Sequence, residues 1–359
     1  MTVVAQFEIR YLQFLDEHGK PVPPLPAFAC EAKDLIPLYR WMVLMRAYDA
    51  KAVALQRTGQ VGTFASLLGQ EAINAGIGAA MRPEDVFLMT YRENGAQLMR
   101  GVTLAEFFLY WGGDERGSDF AGPRRDFPIC VTIAAHATHA VGVAYAIKLR
   151  REPRVAVCAL GDGASSKGDF YEGLNAAGVW QLPLVFVVTD NRWAISVPRQ
   201  RQTRAQTLAQ KAIAAGIEGV QVDGNDVIAV RHAMDEALAK ARSGGGPTLI
   251  EALTYRLSDH TTADDASRYR NPDEVAAAWK REPVLRLRNY LTDCGVWSRE
   301  KEERLLRECN EEVQAAAQAY LDTPPPGVEQ MFDHLYAKLP APLEKQRDEV
   351  LAHGTDHTG

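Results

Sequence analysis

Two short apolar runs with a helical pattern between them are the clearest structural signal in the chain. Residues 155–160 and 184–188 are continuous and apolar, and the turn Gly161-Asp162-Gly163 follows the first run directly. Runs of this kind, separated by a helix, are typical of parallel strands that are buried on both faces of a sheet. The pattern therefore predicts a βαβ unit. The positions predicted to form the apolar face of its helix are Phe170, Leu174, Ala177 and Gly178.

Polar residues follow both predicted strands. Asp162 comes after the first strand and Asn191 after the second. The carboxyl ends of parallel strands share one edge of the sheet, where ligands bind, so these two residues are expected to be neighbours. Their oxygens suit Mg2+, while Gly161 and Gly163 let the backbone approach an anion at the start of a helix. The GDG turn alone is compatible with ordinary turn chemistry, and it is Asn191 that favours a magnesium-diphosphate site.

The rest of the chain alternates predicted strands and helices. The first long helix is predicted from Asp34, as its N-cap, to Gly59, and Asp226 is expected to cap a helix that ends at Arg242. Other predicted strands are 86–90, 220–222 and 248–254, and other predicted helices are 140–146, 207–217, 273–281, 283–294 and 298–321. This order predicts an α/β fold with a mostly parallel sheet and helices on both faces.

The ends of the chain are expected to lie outside the main domain. Residues 1–32 combine a short apolar patch with a proline-rich segment, which predicts an N-terminal arm rather than part of the core. Residues 33–340 are predicted to form the α/β domain with its C-terminal helices, and residues 341–359 a polar tail. Within the domain, residues 196–206 are polar with three arginines, and we expect them to form a solvated face.

The composition is that of a globular protein. Of the 359 residues, 47% are hydrophobic, which is ample for a core, and 40 basic against 46 acidic residues give a net charge of −6. This charge argues against general attraction to nucleic acid or to membrane surfaces. The five cysteines include no CxxC pair, and no apolar run is long enough to span a bilayer. No signal peptide is recognisable, so the cytoplasm is the expected location.

Several further motifs carry a resemblance to a known family. They are GDFYEG at 168–173, RWAIS at 192–196, KAIAAGI at 211–217, VDGNDVIAV at 222–230, GPTLIEALTYR at 246–256 and HTTADDASRYR at 260–270. With the GDG turn and Asn191, they resemble the alpha subunit of the thiamine diphosphate-dependent, decarboxylating component of 2-oxo acid dehydrogenase complexes, and especially the bacterial pyruvate dehydrogenase type. The match follows the family order from about Leu35 to the last helices, which implies a thiamine diphosphate-binding fold.

The resemblance implies thiamine diphosphate and Mg2+ as cofactors. Tyr91 and Arg92 match the family's diphosphate clamp, and a hydroxyl and a guanidinium are good donors to phosphate oxygens. The metal ligands implied are Asp162, Asn191 and the backbone carbonyl of Trp193. The other cofactor-binding residues implied are Gly161, Gly163 and Ala164 near the phosphates, and Val131 and Ile133 at the aminopyrimidine ring. Asp190 departs from the family's paired Asn, and Trp193 from its usual Tyr or Phe, but neither change removes a ligand.

His260 is the main catalytic candidate and is also assigned to cofactor binding. In the family, the matching residue reaches the diphosphate and the reacting centre, where a histidine can donate a hydrogen bond to an anion. Without the resemblance, His260 would be interpreted as a surface-loop histidine. Phe64 is expected to contact substrate, with simple packing as the alternative. His136 and His139 are expected to be structural or pocket-lining, and whether Thr261 is phosphorylated stays open.

The resemblance also implies partners. In the family a beta subunit supplies the glutamate that activates the cofactor, so an assembly of two alpha and two beta chains is expected, with transfer of the acyl group to a lipoyl-bearing acyltransferase. The substrate is expected to be a small 2-oxo acid, with pyruvate favoured over branched-chain acids. Two alternatives are a non-catalytic scaffold subunit, against which the intact ligands argue, and a nicotinamide dehydrogenase, whose GxGxxG spacing is absent from GDGASSKG.

Overall fold

A computed structural model describes residues 1–22, 24–333 and 336–352. The strands are β1 (Arg10–Leu12), β2 (Val86–Leu88), β3 (Ala156–Gly161), β4 (Leu184–Asp190), β5 (Trp193–Ala194), β6 (Val197–Pro198), β7 (Glu218–Asp223) and β8 (Thr248–Leu253). The helices are α1 (Ile36–Arg57), α2 (Glu71–Ala80), α3 (Asn94–Arg100), α4 (Leu104–Trp111), α5 (Ala135–Leu149), α6 (Gly168–Val179), α7 (Arg199–Gln202), α8 (Lys211–Ala214), α9 (Val227–Arg242), α10 (Pro272–Trp279), α11 (Pro283–Asp293), α12 (Arg299–Leu321), α13 (Gln330–Asp333) and α14 (Ala341–Ala352). Within the described residues, no helix combines the length and apolar character needed to cross a membrane.

Six strands form one sheet in the order β1-β7-β8-β4-β3-β2, and all of its pairings are parallel. Gly161 at the end of β3 lies opposite Thr189 of β4, so these two strands finish at the same edge. The short strands β5 and β6 form a separate antiparallel pair just beyond β4. The topology confirms the predicted α/β fold with a mostly parallel sheet.

The central strands are buried on both faces. Alternate residues along each strand point to opposite sides of the sheet, and the two sets pack into different hydrophobic clusters. Val157 and Val187 belong to the hydrophobic cluster that includes α1, α2 and α9. Cys158 and Phe186 belong to a second cluster, which includes α5 and α6. Helices therefore cover both faces, and this burial explains why the strands are continuous apolar runs rather than alternating ones.

The predicted βαβ unit is present, with one local difference. Helix α6 buries all four residues of its predicted apolar face, namely Phe170, Leu174, Ala177 and Gly178. Residues Asp162–Ser166 form a short 3-10 helix, so α6 begins at Gly168 rather than at the GDG turn. The predicted cap of α9 is confirmed, since the Asp226 carboxylate accepts hydrogen bonds from the backbone N–H groups of Ile228 and Ala229.

Several predicted boundaries differ from the structure. The helix predicted at 140–146 is longer and forms α5. Asp34 lies inside a 3-10 helix that runs directly into α1, so it does not cap that helix. β2 ends at Leu88 because the N–H of Thr90 donates to the carboxylate of Glu93 at 2.8 Å instead of continuing a strand. The predicted helix at 207–217 is reduced to the single turn α8, because Gln210 makes side-chain and backbone turn hydrogen bonds just before it.

The N-terminal segment is more closely integrated than predicted. β1 extends the sheet beside β7, and Phe14 and Leu15 are buried. The backbone N–H groups of both residues donate to Asp226 at 2.7 Å, so the residue that caps α9 also holds this segment. The prediction of an arm outside the core is therefore wrong for residues 10–15. In the predicted tail, α14 has no buried residue, and residues 353–359 lie outside the described residues.

Candidate active site

One cavity of about 740 Å3 opens at the carboxyl edge of the sheet, beyond the ends of β2, β3 and β4. Such an edge is where open parallel sheets bind ligands. The structure brings every residue that the sequence assigned to the cofactor and metal onto the wall of this cavity. These residues are Tyr91, Arg92, Val131, Ile133, Gly161, Asp162, Gly163, Ala164, Asn191, Trp193 and His260.

Asp162 stands at the end of β3 with its carboxylate almost completely buried. Oδ1 accepts a hydrogen bond from the N–H of Gly163 at 3.0 Å, and Oδ2 accepts one from the Nε2 amide of Gln202 at 2.8 Å. Burial, reinforced by the nearby negative charge of Asp190, raises the pKa of Asp162 from 3.8 to about 6. An ionised carboxylate in this position is costly and would be stabilised by a cation.

Asn191 follows β4 and faces the same cavity. Its Oδ1 accepts a hydrogen bond from the N–H of Trp193 at 3.2 Å, which places the backbone of Trp193 next to the amide. The intervening Arg192 has a positive φ of 74°, so the chain turns sharply between the two residues. The carbonyl of Trp193 accepts a hydrogen bond from Nη1 of Arg256 at 3.2 Å. Asn191, Trp193 and Asp162, all of which carry hard oxygens, therefore line the same cavity.

Arg92 and His260 are joined at the cavity. Nη2 of Arg92 lies 3.0 Å from Nδ1 of His260 and donates to the His260 carbonyl at 2.6 Å, while Nη1 donates to the carbonyl of Ser66. A guanidinium has only donors, so Nδ1 is the acceptor and the ring proton is on Nε2. Burial first, and then the charges of Arg92 and Arg256, lower the pKa of His260 to about 4. The ring is therefore neutral near pH 7, and its Nε2–H is the group that can donate a hydrogen bond.

The loop that carries His260 is held by its own residues. The Asp264 carboxylate accepts hydrogen bonds from the N–H of His260 at 2.9 Å and from the hydroxyl of Tyr269. Asp265 lies 3.6 Å from Arg268 and forms an ion pair within the loop. The aromatic ring of Tyr91 packs edge-on against His260, with 6.3 Å between the ring centroids. These contacts fix the histidine beside the predicted phosphate clamp.

Phe64 is not where the substrate prediction requires it to be. Its side chain is fully buried and packs edge-on against Tyr48 and Trp111, with ring centroids 6.0 and 4.9 Å apart. The cavity is lined instead by its neighbours Thr63 and Ala65, together with Trp111. Phe64 therefore does not line the cavity in this structure, and its burial among aromatic rings favours the packing alternative. That Phe64 contacts substrate stays a prediction.

The two additional histidines differ in their surroundings. His136 is buried, and its Nε2 lies 2.7 Å from the carbonyl of Ala159 in β3, so it joins α5 to the sheet. Burial lowers its pKa. His139 is exposed and stacks on Phe127 at a centroid distance of 6.4 Å. Neither side chain lies on the cavity wall, so the geometry favours structural roles.

Two contributors were missed in the sequence. Arg256 is fully buried after β8, and its guanidinium donates to the carbonyls of Trp193 and Ile195 and to the hydroxyl of Tyr269. Its place after a strand, at the same edge as Asp162, is the signal that could have identified it. Gln202 carried no such signal, because it lies in a polar basic stretch.

The protein groups fit a magnesium-diphosphate ligand. Asp162, Asn191 and the carbonyl of Trp193 provide hard oxygens, and Mg2+ usually completes its coordination with water and phosphate oxygens. The guanidinium of Arg92 and the hydroxyl of Tyr91 provide donors for such oxygens in the same cavity. The exposed side chains of Val131 and Ile133 form an apolar part of the wall.

A parallel sheet with an oxygen-rich, guanidinium-bearing cavity at its carboxyl edge is the arrangement in which α/β enzymes bind anionic cofactors. Comparison with known proteins identifies the family more closely: residues 39–329 match the dehydrogenase E1 component family, to which this chain belongs. Members of this family are in general thiamine diphosphate-dependent 2-oxo acid dehydrogenases, and their alpha subunits generally pair with a beta subunit.

The similarity to individual relatives covers almost the whole chain. The chain is 38% identical over 344 residues to the pyruvate dehydrogenase E1 component subunit alpha of Mycoplasma pneumoniae, covering 96% of each chain. It is 39% identical over 342 residues to the corresponding Staphylococcus aureus subunit, covering 95% of this chain and 92% of the relative. It is also 42% identical over 315 residues to the 3-methyl-2-oxobutanoate dehydrogenase subunit alpha of Mycobacterium tuberculosis, covering 88% and 86%.

Proposed function

We propose that the chain is the alpha subunit of a pyruvate dehydrogenase (acetyl-transferring), which catalyses oxidative decarboxylation of pyruvate and transfer of the acetyl group to a lipoyl carrier. The observation that carries this proposal is the convergence of all eleven predicted cofactor residues on one cavity. The near-full-length similarity to bacterial pyruvate dehydrogenase alpha subunits supports the substrate. When bound, thiamine diphosphate supplies the nucleophile and the electron sink for decarboxylation of a 2-oxo acid.

Different residues of this chain are proposed to bind different parts of the cofactor. In the proposal, Asp162, Asn191 and the carbonyl of Trp193 bind Mg2+, and Tyr91 and Arg92 donate to the diphosphate. Further proposed contacts are made by Gly161, Gly163 and Ala164 near the phosphates, and by Val131 and Ile133 at the aminopyrimidine ring.

His260 is the proposed catalytic residue. Because its pKa is lowered and Nδ1 accepts from Arg92, its Nε2–H is available to stabilise negative charge in the cavity, whereas proton donation by an imidazolium is disfavoured near pH 7. The contact with Arg92 also orients the ring toward the predicted clamp.

The proposed assembly contains two alpha and two beta chains in the cytoplasm. The beta chain is needed because the proposed site on this chain has no carboxylate assigned to cofactor activation. A lipoyl-bearing acyltransferase is the proposed acceptor of the acetyl group.

The second candidate is a branched-chain 2-oxo acid dehydrogenase alpha subunit, which the 42% identity to the Mycobacterium tuberculosis relative favours. The test is decarboxylation with an artificial electron acceptor by this chain co-expressed with a beta partner, with and without thiamine diphosphate and Mg2+. Higher kcat/KM for pyruvate than for 3-methyl-2-oxobutanoate supports the proposal, and the reverse order supports the second candidate. Turnover is expected to be lost in Asp162→Ala and absent for the chain alone. No turnover with either acid by an assembled, cofactor-loaded complex would favour a scaffold subunit.

A further inference from the structure

The segment that contains α7 is attached to the end of β4 through a buried side chain, although its sequence predicts a solvated face. Arg199, at the start of α7, is buried, and its Nε lies 3.2 Å from Oδ2 of Asp190 at the end of β4. Its Nη2 donates to the carbonyl of Ala205, and its backbone N–H donates to the carbonyl of Arg192. A buried, hydrogen-bonded ion pair thus fixes α7 to the strand that precedes Asn191. The expectation of a solvated face is wrong at Arg199.

Gln202, at the end of α7, reaches the Asp162 carboxylate from this anchored position. Its Nε2 donates to Oδ2 of Asp162 at 2.8 Å and to the carbonyl of Val197 at 3.1 Å, so both amide hydrogens have acceptors. Its backbone carbonyl accepts a hydrogen bond from the hydroxyl of Ser166 at 3.3 Å, whereas its side-chain Oε1 has no partner among the described residues. The side chain of Gln202 is therefore held through its Nε2 group, which lies between Val197 and the Asp162 carboxylate and can fix that carboxylate.

The chemistry of this contact suits a metal ligand. A carboxylate has about four lone-pair positions, and the hydrogen bonds from Gly163 and Gln202 occupy one on each oxygen of Asp162. Lone pairs therefore stay free for a cation. The side-chain donor is a neutral amide, which orients the carboxylate without the repulsion that a lysine or arginine in its place would exert on Mg2+. Hydrogen bonds to a ligating carboxylate commonly set metal affinity in this way.

We propose that Gln202 is a positioning residue for metal binding: it holds the Asp162 carboxylate in its binding orientation, and the Asp190–Arg199 ion pair holds Gln202. The inference deepens the proposed function and rests on it. It also gives a purpose to Asp190, which stands where the resembling family has Asn, because an aspartate can form the buried ion pair with Arg199. The segment at 196–206 thereby becomes part of the cofactor site without lining the diphosphate.

The test uses the assembled complex of this chain and its beta partner, stripped of cofactor. Binding of thiamine diphosphate is measured by isothermal titration calorimetry at a series of Mg2+ concentrations, for the wild type, Gln202→Leu and Gln202→Asn. The asparagine variant keeps the amide but is one methylene too short to reach Asp162. Gln200→Leu is the matched control, since Gln200 is an exposed glutamine on the same helix. Thermal unfolding without ligand checks that each variant is folded.

In both Gln202 variants, the Mg2+ concentration for half-maximal cofactor binding is expected to rise about 10- to 100-fold. The ligand-free unfolding temperature should stay close to wild type, and kcat should recover at saturating Mg2+. Gln200→Leu should match the wild type throughout. Unchanged Mg2+ dependence in the Gln202 variants, or an equal shift in Gln200→Leu, overturns the inference but leaves the proposed function intact. Failure of the wild type to bind thiamine diphosphate with Mg2+ overturns the proposed function itself.

Discussion

Replacement of Asp162 by asparagine is expected to stabilise the cofactor-free protein while abolishing its response to Mg2+ and thiamine diphosphate. Asp162 is 2% exposed, and its pKa is raised from 3.8 to about 6, chiefly by burial. Because the folded state binds this proton more tightly than the unfolded state, stability falls as pH rises between these two values. Asparagine has nearly the same shape but no charge to bury, so the cost is removed.

The magnitude follows from the two pKa values. A difference of about 2.2 units at about 1.36 kcal/mol per unit corresponds to about 3 kcal/mol above pH 6, and to about 1 kcal/mol at pH 4.5. Against this, the asparagine can accept only one of the two hydrogen bonds from Gly163 and Gln202, which costs about 1 kcal/mol. The net gain is therefore about 2 kcal/mol at pH 8 and close to zero at pH 4.5. For a chain of 359 residues, 2 kcal/mol corresponds to about 2 to 3 °C in Tm.

The assay is thermal unfolding of the wild type and Asp162→Asn at pH 4.5 and pH 8, with and without thiamine diphosphate and Mg2+. Without ligands, the variant should unfold at the higher temperature at pH 8 and at about the same temperature at pH 4.5. With saturating ligands at pH 8, only the wild type should shift upward, by the binding free energy at that concentration. A ligand-free variant that is less stable than the wild type at pH 8 would refute the argument from burial. An equal ligand-induced shift in both proteins would refute the metal role of Asp162.

Three further predictions concern the packing and the clamp. Phe64→Ala should lower the stability by about 3–5 kcal/mol, as is usual for a buried phenylalanine. The ratio of kcat/KM for pyruvate to that for 3-methyl-2-oxobutanoate should stay unchanged. A changed ratio in a stable variant would support the prediction that Phe64 contacts substrate. Arg92→Lys should weaken thiamine diphosphate binding about 10- to 100-fold in calorimetry, because the guanidinium N–H groups that Ser66 and His260 leave free are lost, and wild-type affinity would argue against the clamp. Gly76→Ala should lower the free energy of unfolding by about 1–3 kcal/mol in denaturant titration, since the new Cβ would lie 2.5 Å from Cγ1 of Val230. Adding Val230→Ala to this variant should recover part of the loss. No recovery would mean that the strain lies elsewhere.

Local sequence was sufficient to predict an element and the functional residue at its end where the two are adjacent in the chain. The apolar run before Gly161 made β3, and the run before Asp190 made β4. Since parallel strands place their carboxyl ends at one edge, the shared cavity of Asp162 and Asn191 follows from the sequence alone. The capping of α9 by Asp226 was equally local, because a side-chain oxygen reaches only the next few N–H groups.

Residues in loops were less accessible to this reasoning. Phe64 lies between Thr63 and Ala65, which line the cavity, but its own ring turns away into a group of aromatic side chains. No local pattern distinguishes these two directions, because they depend on where α1 and α4 pack. Residues 10–15 were predicted to lie in an arm because no local pattern shows that β1 pairs with the edge strand β7.

The sequence by itself determined the parallel α/β architecture and the shared edge of Asp162 and Asn191, because strand burial, turns and caps depend on neighbours along the chain. Tyr91, Arg92, Val131, Ile133 and His260 were assigned to that edge only through the family resemblance. Only the tertiary structure decided how distant segments support that edge. Gln202 contacts Asp162, and Arg256 contacts Trp193, across long separations in the sequence. The ion pair between Arg199 and Asp190 links α7 to the end of β4. Their importance comes from burial and from hydrogen-bond partners, and these arise only when the sheet and its loops are assembled together.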